Sequence, residues 1–467
     1  MNFRKSLMSA AFCAAALGPA LAAAQEPATP EMLAEAYENG RWSSAIMLAE
    51  ELLKAEPENV SYLTILGVSA TNINEFKRAE DVFEKAEALR PDDPLPLLNL
   101  CGARIKLKRE NALDTCLKAA EKNPDNAELW QIIGQEYENG KRLDDARNAY
   151  LKACQIDPKN VAFITSVTAI DFSRKDYASA LDISEKAIEG GNENVILYLN
   201  AILAANRSGA YEKALSLANR GYEKHHDPLM NLGKAEALNS LHRFEEALPV
   251  WKALLEEIKK SHQNYPRIQY GCARALLATS CDEPKYAKCG GDAEDACCAR
   301  EHEALELLVA AKDDKVLRKS APEYDEYLGL AYILNNKLED AEAVLTAAVT
   351  NDLKKNSAGA PAALAVALYS FSDAQDRNAA RVYYQQAVNA SDDVSDPDRF
   401  VTARAWPQRL AGTLKKLKAE ADAQKASKTK AKCSCDISAN APASPLAAGL
   451  GALLACLGLC LVRRRSL

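Results

Sequence analysis

The residues whose chemistry is easiest to interpret are cysteines that cluster in short stretches. The chain has 467 residues and thirteen cysteines. Four of these fall within residues 279–301, a stretch too polar to fold by burying apolar surface. We therefore expect them to form two disulfides. Their C-x7-C-x7-C-C spacing lacks the C-x2-C pairs typical of structural zinc, although a zinc site and free thiols remain alternatives. The four residues are Cys281, Cys289, Cys297 and Cys298.

A second pair, Cys101 and Cys116, lies 15 residues apart across one expected helical hairpin. The helical phase places both side chains on the inward face of the hairpin. A disulfide between them is one interpretation, and two small buried apolar side chains are the other. A third pair, Cys433 and Cys435, lies near the C-terminus and is interpreted together with its neighbours.

The segment after this third pair combines an apolar stretch with positive charge. Residues 446–462 carry no charged side chain, and residues 463–465 are all arginine. Seventeen helical residues extend about 25 Å, enough to cross a thin hydrocarbon core, and the arginines favour a cytoplasmic end. Residues 1–24 indicate a signal peptide, with Arg4 and Lys5 before a short apolar run and small residues before Gln25.

Residues 433–467 resemble the MYXO-CTERM sorting signal, which combines a cysteine, a polar spacer, a short apolar helix and a terminal arginine cluster in this order. This resemblance implies that a membrane-embedded sorting protease processes the tail near Cys433 or Cys435. It also implies that the mature protein is exported and held at the cell surface or envelope membrane by the helix or by a lipid. A plain single-span anchor is the alternative.

Composition excludes several classes of function. The chain carries 65 acidic and 58 basic residues, a formal charge of −7, which disfavours nucleic acid as a partner. The five histidines fit no paired metal-ligand motif, and no phosphate-binding loop or nucleophile elbow occurs. We therefore expect no enzymatic activity, no metal site and no cofactor.

The body of the chain is periodic. Alanines recur at intervals of 33 or 34 residues, and a bulky residue usually stands three positions earlier. A fixed period of this length indicates a solenoid of stacked helix pairs. Proline recurs twelve residues after several of the alanines, where it would end the second helix of a pair. The alanines are Ala45, Ala79, Ala112, Ala146, Ala180, Ala214 and Ala247.

The period and its Trp/Leu-Gly/Tyr…Ala/aromatic/Ala…Pro order resemble the tetratricopeptide repeat, most completely in residues 127–160. The resemblance implies an all-α, right-handed α-solenoid of about ten antiparallel helix pairs over residues 25–395, interrupted by the insertion at 279–301. Residues 396–432 would then form a capping helix, kinked at Pro407, and a Lys-rich stem.

In such a solenoid the first helices line the concave side, where a protein or peptide partner would bind. The phase opposite the Leu-Gly contact assigns to this surface a neutral and polar set of side chains with some apolar patches. Members of the family that clamp acidic chaperone C-termini use Lys and Arg there, and this chain lacks them. We therefore expect an envelope-anchored binding scaffold, with an accessory role in envelope or polysaccharide assembly as the alternative. The surface residues are Thr64, Thr71, Gln131, Gln135, Glu138, Thr165 and Asn206.

Overall fold

The computed structural model describes residues 27–280, 296–351, 357–371 and 374–438. These residues form an all-α solenoid, and within them no β-strand occurs. The chain divides into two compact bodies, Met1–Lys234 and Ala235–Leu467, each of which is described by itself. Ten consecutive helix pairs account for most of the described residues, in agreement with the ten repeats predicted.

In pairs 1 to 5, each second helix follows its first after a short turn. These pairs are α1 (Pro30–Glu38) with α2 (Trp42–Ala55), α3 (Val60–Asn72) with α4 (Phe76–Leu89), α5 (Pro94–Lys106) with α6 (Ala112–Lys122), α7 (Ala127–Asn139) with α8 (Leu143–Ile156), and α9 (Val161–Ser173) with α10 (Tyr177–Glu189).

Pairs 6, 7, 9 and 10 continue the pattern, whereas residues 279–295 separate the two helices of pair 8. A short helix, α17 (Lys315–Ser320), follows pair 8. Pairs 6 to 10 are α11 (Val195–Ser208) with α12 (Tyr211–His225), α13 (Pro228–Ser240) with α14 (Phe244–Glu257), α15 (Tyr265–Ala278) with α16 (Ala296–Ala311), α18 (Tyr324–Leu334) with α19 (Leu338–Asn351), and α20 (Gly359–Ser370) with α21 (Ala374–Ala390).

A recurring side-chain cap sets where the first helices begin. The Asn or Asp immediately before each of α3, α5, α7, α9 and α11 accepts a hydrogen bond from a backbone N–H of the first turn. Such a residue satisfies one of the donors that a helix N-terminus leaves unpaired. The caps are Asn59, Asp93, Asn126, Asn160 and Asn194.

The bulky residue before each column alanine marks where the second helices begin. In six pairs this residue, for example Phe76 or Tyr177, is the first residue of the second helix. The third pair is the exception, because Arg109 occupies the position and α6 begins three residues later, at Ala112. The Arg109 guanidinium instead donates to the buried carboxylate of Glu80, with its Nη2 at 2.8 Å. The hydrogen bond from Arg109 is the main reason that the pKa of Glu80 is lowered.

Glycine permits close packing within the regular pairs. A Cβ on Gly67 would overlap the ring of Phe83, and one on Gly134 would overlap the ring of Tyr150. The first helix therefore approaches the aromatic side chain of its own partner helix more closely than any other residue would allow. Phe83 and Tyr150 are almost fully buried in these contacts.

The chain after pair 10 differs from the single kinked helix expected over 397–424. A 3-10 turn at Asp392–Ser395 leads into a short helix, α22 (Pro397–Ala403), and a separate helix, α23 (Arg409–Ser438), follows. The break falls at 404–408, around Pro407, whose ring cannot donate a backbone hydrogen bond. The segment expected as a stem therefore belongs largely to α23, which continues past residue 432.

Candidate functional site

The candidate site is the surface formed by the first helices of pairs 2 to 6, which we call the first-helix surface. It consists of the side chains of α3, α5, α7, α9 and α11 that point away from the second helices. Within this surface α3 contacts α5, and α9 contacts α11. All five helices lie in the body 1–234. The surface therefore belongs to one compact body.

Hydroxyl groups on this surface have committed their hydrogen atoms. The Oγ1 of Thr64 donates to the carbonyl of Val60 at 2.8 Å, and that of Thr71 donates to Gly67 at 2.9 Å. Thr165 donates in the same way to the carbonyl of Ala162, at 2.9 Å. A hydroxyl has only one hydrogen to donate, so toward a ligand these side chains can act only as hydrogen-bond acceptors.

The α7 helix contributes amides and carboxylates. Gln131 is half-buried, whereas Gln135, Glu128 and Glu138 are exposed. Glu138 accepts a hydrogen bond from the Tyr150 hydroxyl at 2.9 Å. Burial is the main reason that the pKa of Tyr150 is raised, and the hydrogen bond to Glu138 adds to the shift. The remaining carboxylate acceptors of α7 face solvent and are available to a ligand.

Asn206 is placed differently from the other candidates. Its Nδ2 donates to the backbone carbonyl of Gly233 at 2.9 Å, which ties α11 to α13. Gly233 lies so close to Ile202 that a Cβ there would overlap the isoleucine side chain. Asn206 therefore contributes to packing between neighbouring first helices, and its carbonyl oxygen is buried without a hydrogen-bond partner.

Two apolar patches flank the polar centre of the surface. Leu95 of α5 and Ile196 of α11 each stand second in their helix, and they are 54% and 46% exposed. Leu98 on α5 and Leu199 on α11 lie one turn further along and are half-buried. Leu95, Ile196 and Leu98 were not among the predicted surface residues. The recurring second position of the first helices is the sequence signal that would have identified Leu95 and Ile196.

The structure joins Cys101 and Cys116 in a disulfide, and both residues are fully buried. Each cysteine occupies a position of the repeat that other pairs use for close packing. Cys101 is the eighth residue of α5, as Gly134 is of α7, and Cys116 follows its column alanine by four residues, as Tyr150 does. A covalent bond thus stands where the neighbouring pairs have a Gly–aromatic contact.

The other cysteines divide into described and undescribed groups. Cys298 is disulfide-bonded. The side chains of Cys281, Cys289 and Cys297, and therefore the pairing within the insertion, lie outside the described residues. So do the side chains of Cys433 and Cys435.

Two described thiols are free, and both are poor nucleophiles. Burial raises the pKa of Cys154 to about 11 and that of Cys272 to about 12. Neither would be a thiolate at neutral pH.

The expected signal peptide (1–24) and the apolar tail (446–462) also lie outside the described residues. Among the helices that the structure describes, none is both long and apolar enough to cross a membrane.

Comparison with known proteins follows the repeat geometry. Residues 34–94 and 127–160 match tetratricopeptide repeat models. These two segments contain pairs 2 and 4 and most of pair 1, which are regular pairs with Gly–aromatic or aromatic contacts. Tetratricopeptide repeats are therefore present in the N-terminal body, as the period predicted.

Two curated proteins resemble part of the chain. The BBSome complex member BBS4 homolog of Drosophila melanogaster is 27% identical over 214 residues, which cover 44% of each chain. Stress-induced-phosphoprotein 1 of Caenorhabditis elegans is 29% identical over 140 residues, covering 28% of this chain and 44% of that protein. The chain thus spans less than half the length of the curated relatives it matches.

Among solved structures, the chain resembles MamA. MamA 41-end from Desulfovibrio magneticus RS-1 is 21% identical to this chain, with a TM-score of 0.32. The match covers 34% of this chain and 90% of the MamA chain. Another MamA structure is 20% identical and covers 39% of this chain and 92% of its own, with a TM-score of 0.31. The repeat matches and the described helices together identify an all-α solenoid with tetratricopeptide repeats in its N-terminal body.

Proposed function

We propose that the protein is a non-catalytic scaffold that binds a protein or peptide partner on the first-helix surface. The supporting observation is the polar centre on α7, where the side-chain amides of Gln131 and Gln135 form no hydrogen bond with any described residue. Side-chain amides that are presented in this way can pair with the backbone of an extended chain, because each has both donors and an acceptor.

A photo-crosslinking residue at Gln135 tests this function. We expect it to form a covalent adduct with a discrete protein or peptide, and excess purified partner to compete with that adduct. The matched control is the same crosslinker at Asn148, an exposed residue of the second helix α8. Equal adducts from Gln135 and Asn148 would contradict binding on the first-helix surface.

We propose further that the protein is exported and held at the cell envelope through its C-terminal tail. The support is the order of Cys433 and Cys435, polar spacer, apolar stretch 446–462 and arginines 463–465 in the sequence. In this proposal a sorting protease or lipid donor acts near one of the two thiols. Because a single lipid chain holds a protein weakly, a second membrane signal would be expected.

Intact-mass analysis of the cell-surface fraction tests the tail. We expect the mature protein to lack the signal sequence and residues 446–467, and the Cys433→Ser/Cys435→Ser variant to keep its tail. If wild type keeps residues 446–467, or if the double variant is processed like wild type, the sorting proposal is wrong and 446–462 is an ordinary anchor.

We also propose that the four cysteines of the insertion form two disulfides in an exported, oxidising environment. The disulfide at Cys298 supports this arrangement. Mass spectrometry of non-reduced tryptic peptides should find no alkylatable thiol in residues 279–301. Four alkylated cysteines there would contradict the proposal.

A further inference from the structure

The first helices of pairs 8 to 10 differ from those of the first-helix surface, because they are buried almost all round. Every residue of α20 from Gly359 to Leu368 is buried, and α15 and α18 are nearly as enclosed. The segment that follows pair 10 buries part of these helices, since α23 packs against α20 and α21. The C-terminal body thus holds its own residues 397–420 against its first helices.

The central contact of this cover is made by a carboxylate at a surface position of the repeat. Glu326 stands three residues before Gly329, as Gln131 stands three residues before Gly134. It therefore occupies the same repeat position as a residue of the first-helix surface. The first helix of the next pair also bonds to the C-terminal segment, because the α20 residue Tyr369 donates a hydrogen bond from its hydroxyl to Glu420 of α23 at 3.0 Å.

Glu326 binds a cation and an aromatic donor from the same segment. The Nη1 of Arg404 lies 2.8 and 2.7 Å from the two carboxylate oxygens, and Trp406 donates its indole N–H at 2.9 Å. The neighbouring Tyr327 donates its hydroxyl to the backbone carbonyl of Arg404 at 2.6 Å. Glu326 and Trp406 are each only 2% exposed. The C-terminal body therefore shows how a first helix of this chain can hold a cationic and aromatic segment with a carboxylate.

The first-helix surface has the same type of chemistry but no described segment over it. Its threonine hydroxyls donate within their own helices, so toward a ligand they act as acceptors. Glu128 and Glu138 add exposed carboxylates at the two ends of α7. A ligand must therefore supply donors to these hydroxyls and carboxylates, and cationic donors would gain most from the carboxylates.

We propose that the first-helix surface binds an extended cationic peptide segment, with Arg or Lys at its centre and an apolar or aromatic side chain near each end. This inference rests on the proposed scaffold function and specifies its ligand. The central cations pair with the acceptors of α7. The end side chains cover the apolar patches around Leu95 and Ile196.

The spacing of the patches sets the length of the segment. Packed helices lie about 10 Å apart, so the three steps from α5 to α11 span about 30 Å. An extended chain covers about 3.3 Å per residue, which gives about nine residues between the two apolar ends.

A fluorescent peptide with the sequence of residues 399–411 is a suitable probe, because it carries Arg404 and Trp406 and a net charge of +3. Its Val401 and Leu410 stand nine residues apart, as the spacing of the patches requires. We expect full-length protein to bind it, with an affinity that falls as salt rises, and to bind a peptide with its three arginines replaced by Glu at least tenfold more weakly. The Glu128→Lys/Gln135→Lys variant should lose at least tenfold in affinity. A matched control, Glu121→Lys/Asn148→Lys, makes the same charge change on exposed positions of second helices and should bind like wild type.

A random 13-residue peptide library separates this inference from the scaffold function. Selected peptides that are cationic and fail to bind Glu128→Lys/Gln135→Lys would support the inference. Acidic or uncharged peptides that bind the first-helix surface would overturn the inference and leave the scaffold function standing. If no peptide from the library binds this surface, the inference is wrong, and crosslinking at Gln135 decides the scaffold function separately. Equal loss of probe binding in the two lysine variants would also overturn the inference.

Discussion

Removing the disulfide between Cys101 and Cys116 tests whether the third helix pair depends on a covalent bond where its neighbours use a Gly–aromatic contact. The bond joins residues 15 apart in sequence. In the chain-entropy account, losing a crosslink of this length costs about 3 kcal/mol. Both residues are fully buried, so alanine would also remove packed sulfur. We expect Cys101→Ala/Cys116→Ala to destabilise this pair by about 3 to 4 kcal/mol.

Amide hydrogen exchange is the appropriate assay, because a solenoid is stabilised by contacts between neighbours and can open locally. A loss of 3 kcal/mol corresponds to exchange that is more than a hundredfold faster. We expect this acceleration in α5 and α6, with much smaller changes in α9 and α10. The measurement should be made without reductant, because Cys298 also carries a disulfide.

A second variant separates the crosslink from packing. Cys101→Gly/Cys116→Phe reproduces the Gly67–Phe83 contact of pair 2 within pair 3. We expect it to recover most of the lost protection and to be insensitive to reductant in α5 and α6. Exchange in the double-alanine variant equal to that of wild type would refute the reasoning. So would a Gly/Phe variant no more protected than the double-alanine variant.

Two further substitutions address other contacts. Gly359→Ala should place a Cβ against the ion pair between Glu326 and Arg404 and so release residues 397–409. The fluorescence of Trp406 should then shift to the red, and an unchanged spectrum would contradict this. Hydrogen bonds, of which the one from Lys224 has the largest effect, lower the pKa of the Glu193 carboxyl to about 2. The ionised carboxylate therefore stabilises the fold above the pKa that it has in the unfolded chain, and this stabilisation is lost as pH falls toward 2. Urea midpoints of Glu193→Gln should therefore fall less between pH 6 and pH 3 than those of wild type, whereas Glu110→Gln, an exposed control, should follow wild type.

The regular part of the fold was predictable because its signals are local and repeated. Small alanines every 33 or 34 residues and the bulky residues before them determine how two helices of a pair approach each other. In six pairs the bulky residue is the first residue of the second helix, including Phe76 of α4 and Leu143 of α8. The Asn and Asp caps, such as Asn126, carry equally local information about the first helices but were not used.

The candidate site was only partly predictable. Thr64, Thr71 and Gln131 could be assigned from helical phase, because phase determines which side of a helix a residue occupies. Asn206 shares that phase, yet it bonds to the carbonyl of Gly233. Phase gives direction but not the distance to the next helix, and that distance decides whether an amide meets solvent or a backbone carbonyl.

A capping helix was predicted after pair 10, but not that residues 397–420 fold back over the first helices, although the sequence contained a signal for this. The α20 sequence GAPAALAVALYS has no charged residue and no polar face. A helix that is apolar on every side must be buried on every side. In a solenoid, the partner helix of the same pair and the neighbouring pairs bury only part of a first helix. At the end of a solenoid no further pair exists to supply the remaining cover, so other chain must provide it. Residues 397–420 provide it here, and the carboxylate of Glu326 fixes their position. A first helix with a polar face, such as α7, requires no such cover, and this difference in burial is why we assign partner binding to the N-terminal body.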